Sequence, residues 1–235
     1  MQEFKRTQML LGCENMNKLE TARVAVFGIG GVGSYAIEAL VRAGIGHIDI
    51  FDHDRVDITN LNRQLIALQS TVGKKKADVM KARILDINPH CQVNAYAVYY
   101  NEDCKKQYSF KNYDYIIDAI DTVTSKLLLI EEANQTETPI ISCMGTGNKL
   151  HPECLEITDI SKTSVCPLAR VMRRECKKRG IKTLKVLFST EEPIQVELLL
   201  NEANKPTPGS ISFVPSVAGL LLAKEVVLGI IARRD

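Results

Sequence analysis

Two rhythms of apolar residues alternate along the first 150 positions. Residues 23–27 (RVAVF) form a short β-branched run that stops at Gly28. Behind the glycines, apolar side chains fall at Ala36, Ile37, Leu40 and Val41. That is the spacing of a helix with one buried face, and Gly44 supplies its stop signal. Residues 47–51 (HIDIF) read as a second strand, so strand, glycine loop, helix and strand make a βαβ crossover. The alternation continues with a helix over 74–88 ending before Pro89, a strand over 92–100, a buried strand over 114–120, a helix over 125–134 and a strand over 139–144. Strands alternating with helices predict an α/β fold, Rossmann-like, with a mostly parallel sheet and helices on both faces.

Beyond residue 150 the texture changes. Residues 155–160 and 184–189 read as strands around a very basic helix, and 191–210, with three prolines, reads as a loop. Residues 214–232 are strongly apolar, but Lys224 and Glu225 interrupt them. The uninterrupted runs fall short of the roughly 20 residues that span a bilayer, so the stretch reads as a buried C-terminal helix and no membrane is expected. The chain divides into a nucleotide-type domain over 1–150 and a basic C-terminal extension of the same fold over 151–235.

Composition adds exclusions. At 235 residues, 45% hydrophobic and 25% charged, the chain is an ordinary globular protein, which rules out disordered, collagenous and low-complexity classes. The seven cysteines are odd in number and contain no C-x-x-C, so neither a disulfide framework nor paired zinc knuckles is expected. Free thiols and an N-terminus without an apolar leader point to a reducing cytoplasm. The four histidines have no metal-binding spacing.

The glycine run is Gly28-Ile29-Gly30-Gly31-Val32-Gly33. Set between a strand and a helix, it permits a tight turn, close approach to phosphate, and a helix N-terminus aimed at the anion. Asp52, 19 residues after Gly33, stands where a carboxylate accepts from ribose hydroxyls. These features admit NAD, FAD or ATP. Asn60 and Arg63 favour a triphosphate, whose extra charge calls for a cationic fork. Lys74, Lys75 and Lys76 oppose the dipole at a helix start, a cost that a bound polyanion would relieve. Asp118 and Asp121 follow the buried strand. A carboxylate beside phosphates usually holds Mg²⁺, and Asp118, nearer the apolar run, is the more structural of the two.

With these residues in place, the sequence resembles the E1-like adenylating superfamily, which includes ThiF, MoeB and the ubiquitin-activating enzymes. GIGGVG (28–33), DHD (52–54), NLNRQ (60–64), GKKKA (73–77) and DAID (118–121) carry the resemblance, in the family's order. It implies that 1–150 is an ATP-binding adenylation domain in which Gly28, Gly30, Gly31 and Gly33 face the phosphates and Asp52 holds the ribose. It further implies that Asn60, Arg63 and Lys76 contact phosphate, and that Asp121 holds Mg²⁺. Arg6 resembles an arginine that the family inserts into the partner subunit's ATP site, which implies a homodimer. A substrate carboxylate would attack the α-phosphate and form an acyl-adenylate.

The second half resembles one branch of that superfamily. SCMGTGNKL (142–150), the segment 156–182, FSTEEP (188–193) and FVPSVAGLLLA (213–223) are similar to the tRNA threonylcarbamoyladenosine dehydratases. The implied reaction activates the threonylcarbamoyl carboxylate on adenosine 37, in the anticodon loop, and closes it to the cyclic form. SKTSVCPLAR (161–170) resembles the family segment that holds a monovalent cation through backbone oxygens. The resemblance also leaves room for a sulfur-transfer partner.

The charge distribution points the same way. From Lys162 to Lys185 there are nine basic side chains against Glu175 alone, on a chain whose net charge is +2. Such a tract is an electrostatic footprint for a phosphate backbone. Lys149, Lys162, Arg170, Arg173, Arg174, Lys177 and Lys178 are the expected tRNA contacts. Cys143 and Cys166 sit in family-like motifs, but ring closure needs no thiol, so both read as small buried hydrophobes. The rival readings are adenylation of the C-terminal glycine of a ubiquitin-like sulfur carrier, disfavoured by the missing zinc knuckles, and a non-catalytic tRNA-binding scaffold.

Overall fold

A computed structural model describes residues 2–195, 199–200 and 206–233. Seven strands form one sheet in the order β3-β2-β1-β4-β5-β7-β6. They are β1 (Arg23–Phe27), β2 (His47–Phe51), β3 (Gln92–Tyr96), β4 (Tyr115–Asp118), β5 (Ile140–Cys143), β6 (Leu155–Asp159) and β7 (Lys185–Ser189). Every neighbouring pair is parallel except β6 with β7. Val24 to Phe27 and Tyr115 to Asp118 are buried at every position, as strands covered on both faces must be.

Register determines where the chemistry falls. Phe27 lies opposite Phe51 on one side and Asp118 on the other, and Asp118 lies opposite Ser142. The residues that follow these strand ends (Gly28, Asp52, Ala119 and, after Cys143, Met144) therefore emerge at one edge of the sheet. The strand order also reverses direction between β1 and β4, and crevices at such switch points are the usual ligand sites of open α/β sheets.

The helices are α1 (Lys5–Thr21), α2 (Gly33–Ala43), α3 (Lys76–Ile87), the single turn α4 (Glu102–Lys105), α5 (Val123–Gln135), α6 (Pro167–Lys178) and α7 (Phe213–Ile231). α2 ends as its glycine predicts. Gly44 has φ +101°, and its N–H and that of Ile45 return to the carbonyls of Val41 and Leu40. α7 has 19 residues and a mean hydropathy of 1.9, so by length and composition it would suffice to cross a bilayer, contrary to the sequence expectation. Its seat explains the apolarity. Val214, Ala218, Leu222, Val226 and Ile230, four residues apart, enter the core beside α2. A Cβ on Gly219 would lie 2.3 Å from the Val32 carbonyl, so the two helices meet at backbone distance there. β7 pairs with β5, and α7 packs on α2, so residues beyond 150 complete the sheet begun before them.

One element is given by no pattern, and another differs from its expected bounds. α1 has no clear amphipathic period because Gly12, at φ +81°, breaks it into two segments; Leu19 anchors it to the core while Met9 and Leu10 stand in solvent. β3 stops at Tyr96 rather than continuing to 100. It is an edge strand, and Val98, Tyr99 and Tyr100 turn off the sheet toward the crevice. In the predicted loop 191–210, β8 (Leu199–Leu200) and β9 (Pro206–Thr207) pair in antiparallel fashion, and the rest lies partly outside the described residues.

Candidate nucleotide and RNA site

The glycine turn is built from residues with different duties. Gly28 has φ +93°, and a Cβ there would lie 2.6 Å from the Ala119 carbonyl, so only glycine fits. A Cβ on Gly30 would meet nothing nearer than Gln64 Nε2 at 4.0 Å, which makes this the open point of the turn. Gly33 corrects the expectation that all four glycines face the phosphates. It is buried, it does not line the cavity, and a Cβ on it would lie 1.8 Å from the Gly28 carbonyl. It is a packing glycine. The first helical bond of α2 runs from Ser34 N–H to the Gly30 carbonyl, so the amides just before it have no helical acceptor and form an anion-binding end.

Asp52 is buried and braces the turn. One carboxylate oxygen accepts from Ile29 N–H at 2.6 Å and the other from Asp54 N–H at 2.8 Å. Asn60 ends a 3₁₀ turn (Ile58–Asn60) in which Asp57 accepts from Thr59 N–H and Asn60 Oδ1 accepts from Asp57 N–H. The Thr59 hydroxyl also donates to Asp57, and it and the Thr59 N–H hold the Asp57 carboxyl below its ordinary range. The Asn60 amide nitrogen is left for the cavity. Arg63 is held by the Thr59 carbonyl and Asn62 Oδ1 at 3.0 and 2.9 Å. Of the three lysines, only Lys76 lines the cavity; it is buried, with Nζ 2.8 Å from Asp54 Oδ2.

Gly28, Gly30, Gly31, Asp52, Asn60, Arg63, Lys76 and Asp121 thus line one cavity of about 660 Å³. Asp121 is exposed there, and its carboxylate has only Thr122 as a hydrogen-bond partner among the described residues. Asp118 is structural, as anticipated: it is fully buried, 2.9 Å from Lys126 Nζ, and accepts from Ser142 Oγ. Arg6 stands exposed on α1 and does not line its own chain's cavity. A larger groove, about 1260 Å³, opens at the opposite ends of β4, β5 and β7; it contains Lys162 but none of the nucleotide residues.

The far wall of the cavity is made of Cys143 to Gly147, Leu168, Pro208 to Ser210 and Pro215. Cys143 is buried, and burial pushes its thiol up to about 12. It therefore stays protonated through the working pH range and is a poor nucleophile. Cys143→Ala is expected to keep turnover within about threefold of wild type, because an apolar swap that loses little volume disturbs little. Single-turnover assays, with a search for a hydroxylamine-labile thioester, check this. Cys166 is also buried, at the cap of α6.

α6 turns Ala169, Met172 and Cys176 inward and leaves Arg170, Arg174, Lys177 and Lys178 on one exposed face. One of the expected RNA contacts, Lys149, is corrected, and another, Arg173, has a partner within the protein. Lys149 is only 3% exposed, and its ammonium donates to the Glu191 carbonyl, so it fastens a loop from inside. Arg173 donates to the Thr163 carbonyl at 2.9 Å and pins the turn before α6. Glu175, its carboxyl drawn down to about 2 by Arg179 first and then Lys178, also contacts Arg174. Arg179 is shared with Glu131 at 2.6 Å. Among the described residues, Lys162, Arg170, Lys177 and Lys182 have no acidic partner within 4.0 Å. In the turn 161–166, Val165 has φ +37°, the Thr163 carbonyl serves Arg173, and the Ser164 carbonyl serves Cys166 N–H. Each of these two carbonyls keeps one lone pair.

Sequence patterns pass over three residues of this site. Gln64 is buried at the cavity with Oε1 unpartnered, and only its place in the NLNRQ run points to it. Tyr99 falls within the expected strand 92–100, which ends earlier. Leu168 looks like one more apolar residue in a basic helix.

A glycine turn, a braced carboxylate and two cations around one crevice at the switch point define an α/β nucleotide-binding protein. The chain belongs to the ThiF family, whose model matches residues 4–234. It is 45% identical to the tRNA threonylcarbamoyladenosine dehydratase of Bacillus subtilis (strain 168), over 98% of this chain and 95% of that one. The Escherichia coli (strain K12) dehydratase is 39% identical over 81% of this chain and 74% of its own. The crystal structure of the E. coli enzyme, TcdA, in complex with ATP superposes with a TM-score of 0.89 at 34% identity, covering 98% of this chain and 94% of that one. The complex with AMP gives 0.90.

Proposed function

We propose that this protein uses ATP to dehydrate N6-threonylcarbamoyladenosine at position 37 of tRNA, closing it to the cyclic form through an acyl-adenylate. The observation that carries the reading is the continuity of the cavity. The nucleotide residues form one wall, and the other includes Leu168, which belongs to the helix that displays Arg170, Arg174 and Lys177. A base entering from an RNA held on α6 would meet the phosphate end of a nucleotide on the glycine turn.

The chemistry asks for charge and position. The threonyl carboxylate attacks the α-phosphorus, the bond to the β-phosphate breaks, and pyrophosphate leaves. Lys76, Arg63 and the Asn60 amide stand where negative charge gathers, in a cavity that strengthens each contact. Asp52 keeps the turn in shape and offers its remaining lone pairs to ribose. Asp121 fits a divalent cation: it is an exposed carboxylate on the cavity lining, and Mg²⁺ binds through one or two carboxylates plus phosphate oxygens and water. The ion supplies neutralisation of phosphate charge. In the second step, a nitrogen of the modification attacks the acyl carbon, loses its proton and expels AMP, for a net loss of one water. The ring closes within one molecule, so high effective molarity takes the place of a nucleophile such as Cys143. Arg6, exposed on α1, is assigned to the partner subunit's site in a homodimer. The turn 161–166 is the place for a monovalent cation. The enzyme works on tRNA in the cytoplasm.

Incubating the protein with ATP, Mg²⁺ and tRNA carrying the open modification should remove the mass of one water from adenosine 37. Unchanged mass with folded protein defeats the reading. Pyrophosphate release stimulated by a carrier protein ending in Gly-Gly, and not by tRNA, would favour the rival adenylation.

The basic face gives a separable test. Arg170→Glu with Lys177→Glu should weaken tRNA binding and lower the slope of log K against log salt by about 2, near one for each phosphate that the protein ceases to neutralise. ATP affinity should not change. Arg173→Glu is the poorer probe, because it also frees the Thr163 turn. Filter binding across a salt series decides the matter.

A further inference from the structure

Lys126 is a cation in an apolar setting. It lies within α5 beside Leu127, Leu129 and Ile130, and its side chain is fully buried. An ammonium removed from water is costly unless it is paired and all its donors are used. Here they are used: Nζ lies 2.9 Å from Asp118 Oδ2 and donates to the carbonyls of Ile120 at 3.0 Å and Cys143 at 2.8 Å. Asp118 in turn accepts from Ser142 Oγ and from Ile120 N–H.

The three acceptors lie on two stretches of chain that meet at the cavity. Asp118 ends β4, Ile120 lies in the loop that carries Asp121, and Cys143 ends β5 where the far wall of the cavity begins. That loop is also the floor of the glycine turn, since Gly28 rests on the Ala119 carbonyl. The backbone N–H of Lys126 returns to the Thr122 carbonyl, so the loop is held from both of its ends by one residue. Satisfied donors would serve the fold alone; what singles out Lys126 is that its two carbonyl partners belong to the loop carrying Asp121 and to the start of the 143–147 wall, both on the cavity lining.

We propose that Lys126 is a positioning residue that fixes the separation between the Asp121 carboxylate and the 143–147 wall, and so aligns the nucleotide with the carboxylate that attacks it. This rests on the adenylation reading above. It predicts that the tethers matter beyond the neutralisation of Asp118.

The full-length protein carrying both Lys126→Met and Asp118→Asn separates the two roles. The double variant has no buried charge, so its melting temperature should recover from that of Lys126→Met alone toward wild type. Its kcat should remain about 100-fold low, with KM for ATP and for tRNA unchanged, as misplacement of reacting groups requires. Mn²⁺ affinity, read by electron paramagnetic resonance with a non-hydrolysable ATP analogue bound, should be about tenfold weaker, as for loss of a group that orients a metal ligand. Recovery of kcat and Mn²⁺ affinity together with the melting temperature would overturn the proposal. Lys126→Arg, which keeps the charge but cannot place one atom among three acceptors, is the second variant if the double one does not fold. It should lose Mn²⁺ affinity too, and wild-type affinity there would equally overturn the proposal. Should wild type fail to dehydrate tRNA, the adenylation reading fails by itself, while Mn²⁺ affinity still decides whether Lys126 positions Asp121.

Discussion

Lys76→Met is expected to lower the rate of adenylation by about 10²- to 10³-fold, the usual loss when one preorganised donor to a developing oxyanion is removed. The ammonium is built into the cavity rather than draped over it. It starts α3, its own N–H donates to the Asp54 carbonyl, and its Nζ is held by the Asp54 carboxylate, which is half exposed. Water can therefore take over Asp54 when the lysine is lost, so stability should change little, whereas Arg63 and Asn60 are held in their own places and do not fill that of Lys76. Binding of tRNA should be untouched, because Lys76 is buried and is not part of the exposed basic face of α6. Lys76→Arg should rescue poorly, since a planar fork does not occupy the place of a compact point charge in a buried slot. Single-turnover conversion of modified tRNA, alongside urea unfolding, measures both. A variant with a near-normal rate would mean that the phosphate charge is met by Arg63 and Asn60 alone.

The same contrast between exposed and buried positions explains what is legible in the sequence. Strands buried on both faces, such as 24–27 and 115–117, announce themselves as continuous apolar runs, and the glycine turn between a strand and a helix fixes the switch point. β3 is shorter than its pattern suggests because an edge strand ends where its partner β2 ends, and Tyr99 and Tyr100 are as suited to a strand as to a cavity wall. α1 gives no periodic signal because Gly12 interrupts it. Within the site, residue type gives the chemistry but not its assignment. The four glycines look alike in sequence, yet Gly30 is open to the ligand and Gly33 is closed against Gly28. The basic tract likewise reads as nine equivalent charges, until packing turns Arg173 to a carbonyl and Arg179 to two glutamates. Lys126 does leave a signal, a lone lysine among leucines on a helix, but its partners come from β4 and β5 and only the sheet brings them together.

Asp121→Asn is expected to reduce turnover by about 10³-fold with the fold intact, while Asp118→Asn, three residues away, should do its main damage to stability. The two carboxylates differ in surroundings, not in type. Asp118 is fully buried on Lys126, and removing its charge strands that ammonium, at a cost of about 3–5 kcal/mol for a buried pair broken on one side. Asp121 is exposed on the cavity lining, and its carboxylate has only Thr122 as a hydrogen-bond partner among the described residues, so its loss should cost almost nothing in urea unfolding. What it removes is the negative ligand for Mg²⁺. Nucleotide binding measured without divalent metal should be unchanged in Asp121→Asn, binding with Mg²⁺ should lose its metal-dependent increment, and tRNA affinity should equal wild type. If instead Asp121→Asn turns over normally while Asp118→Asn stays folded and inactive, the carboxylate that serves the phosphates is the buried one, and the division of labour between the two is reversed.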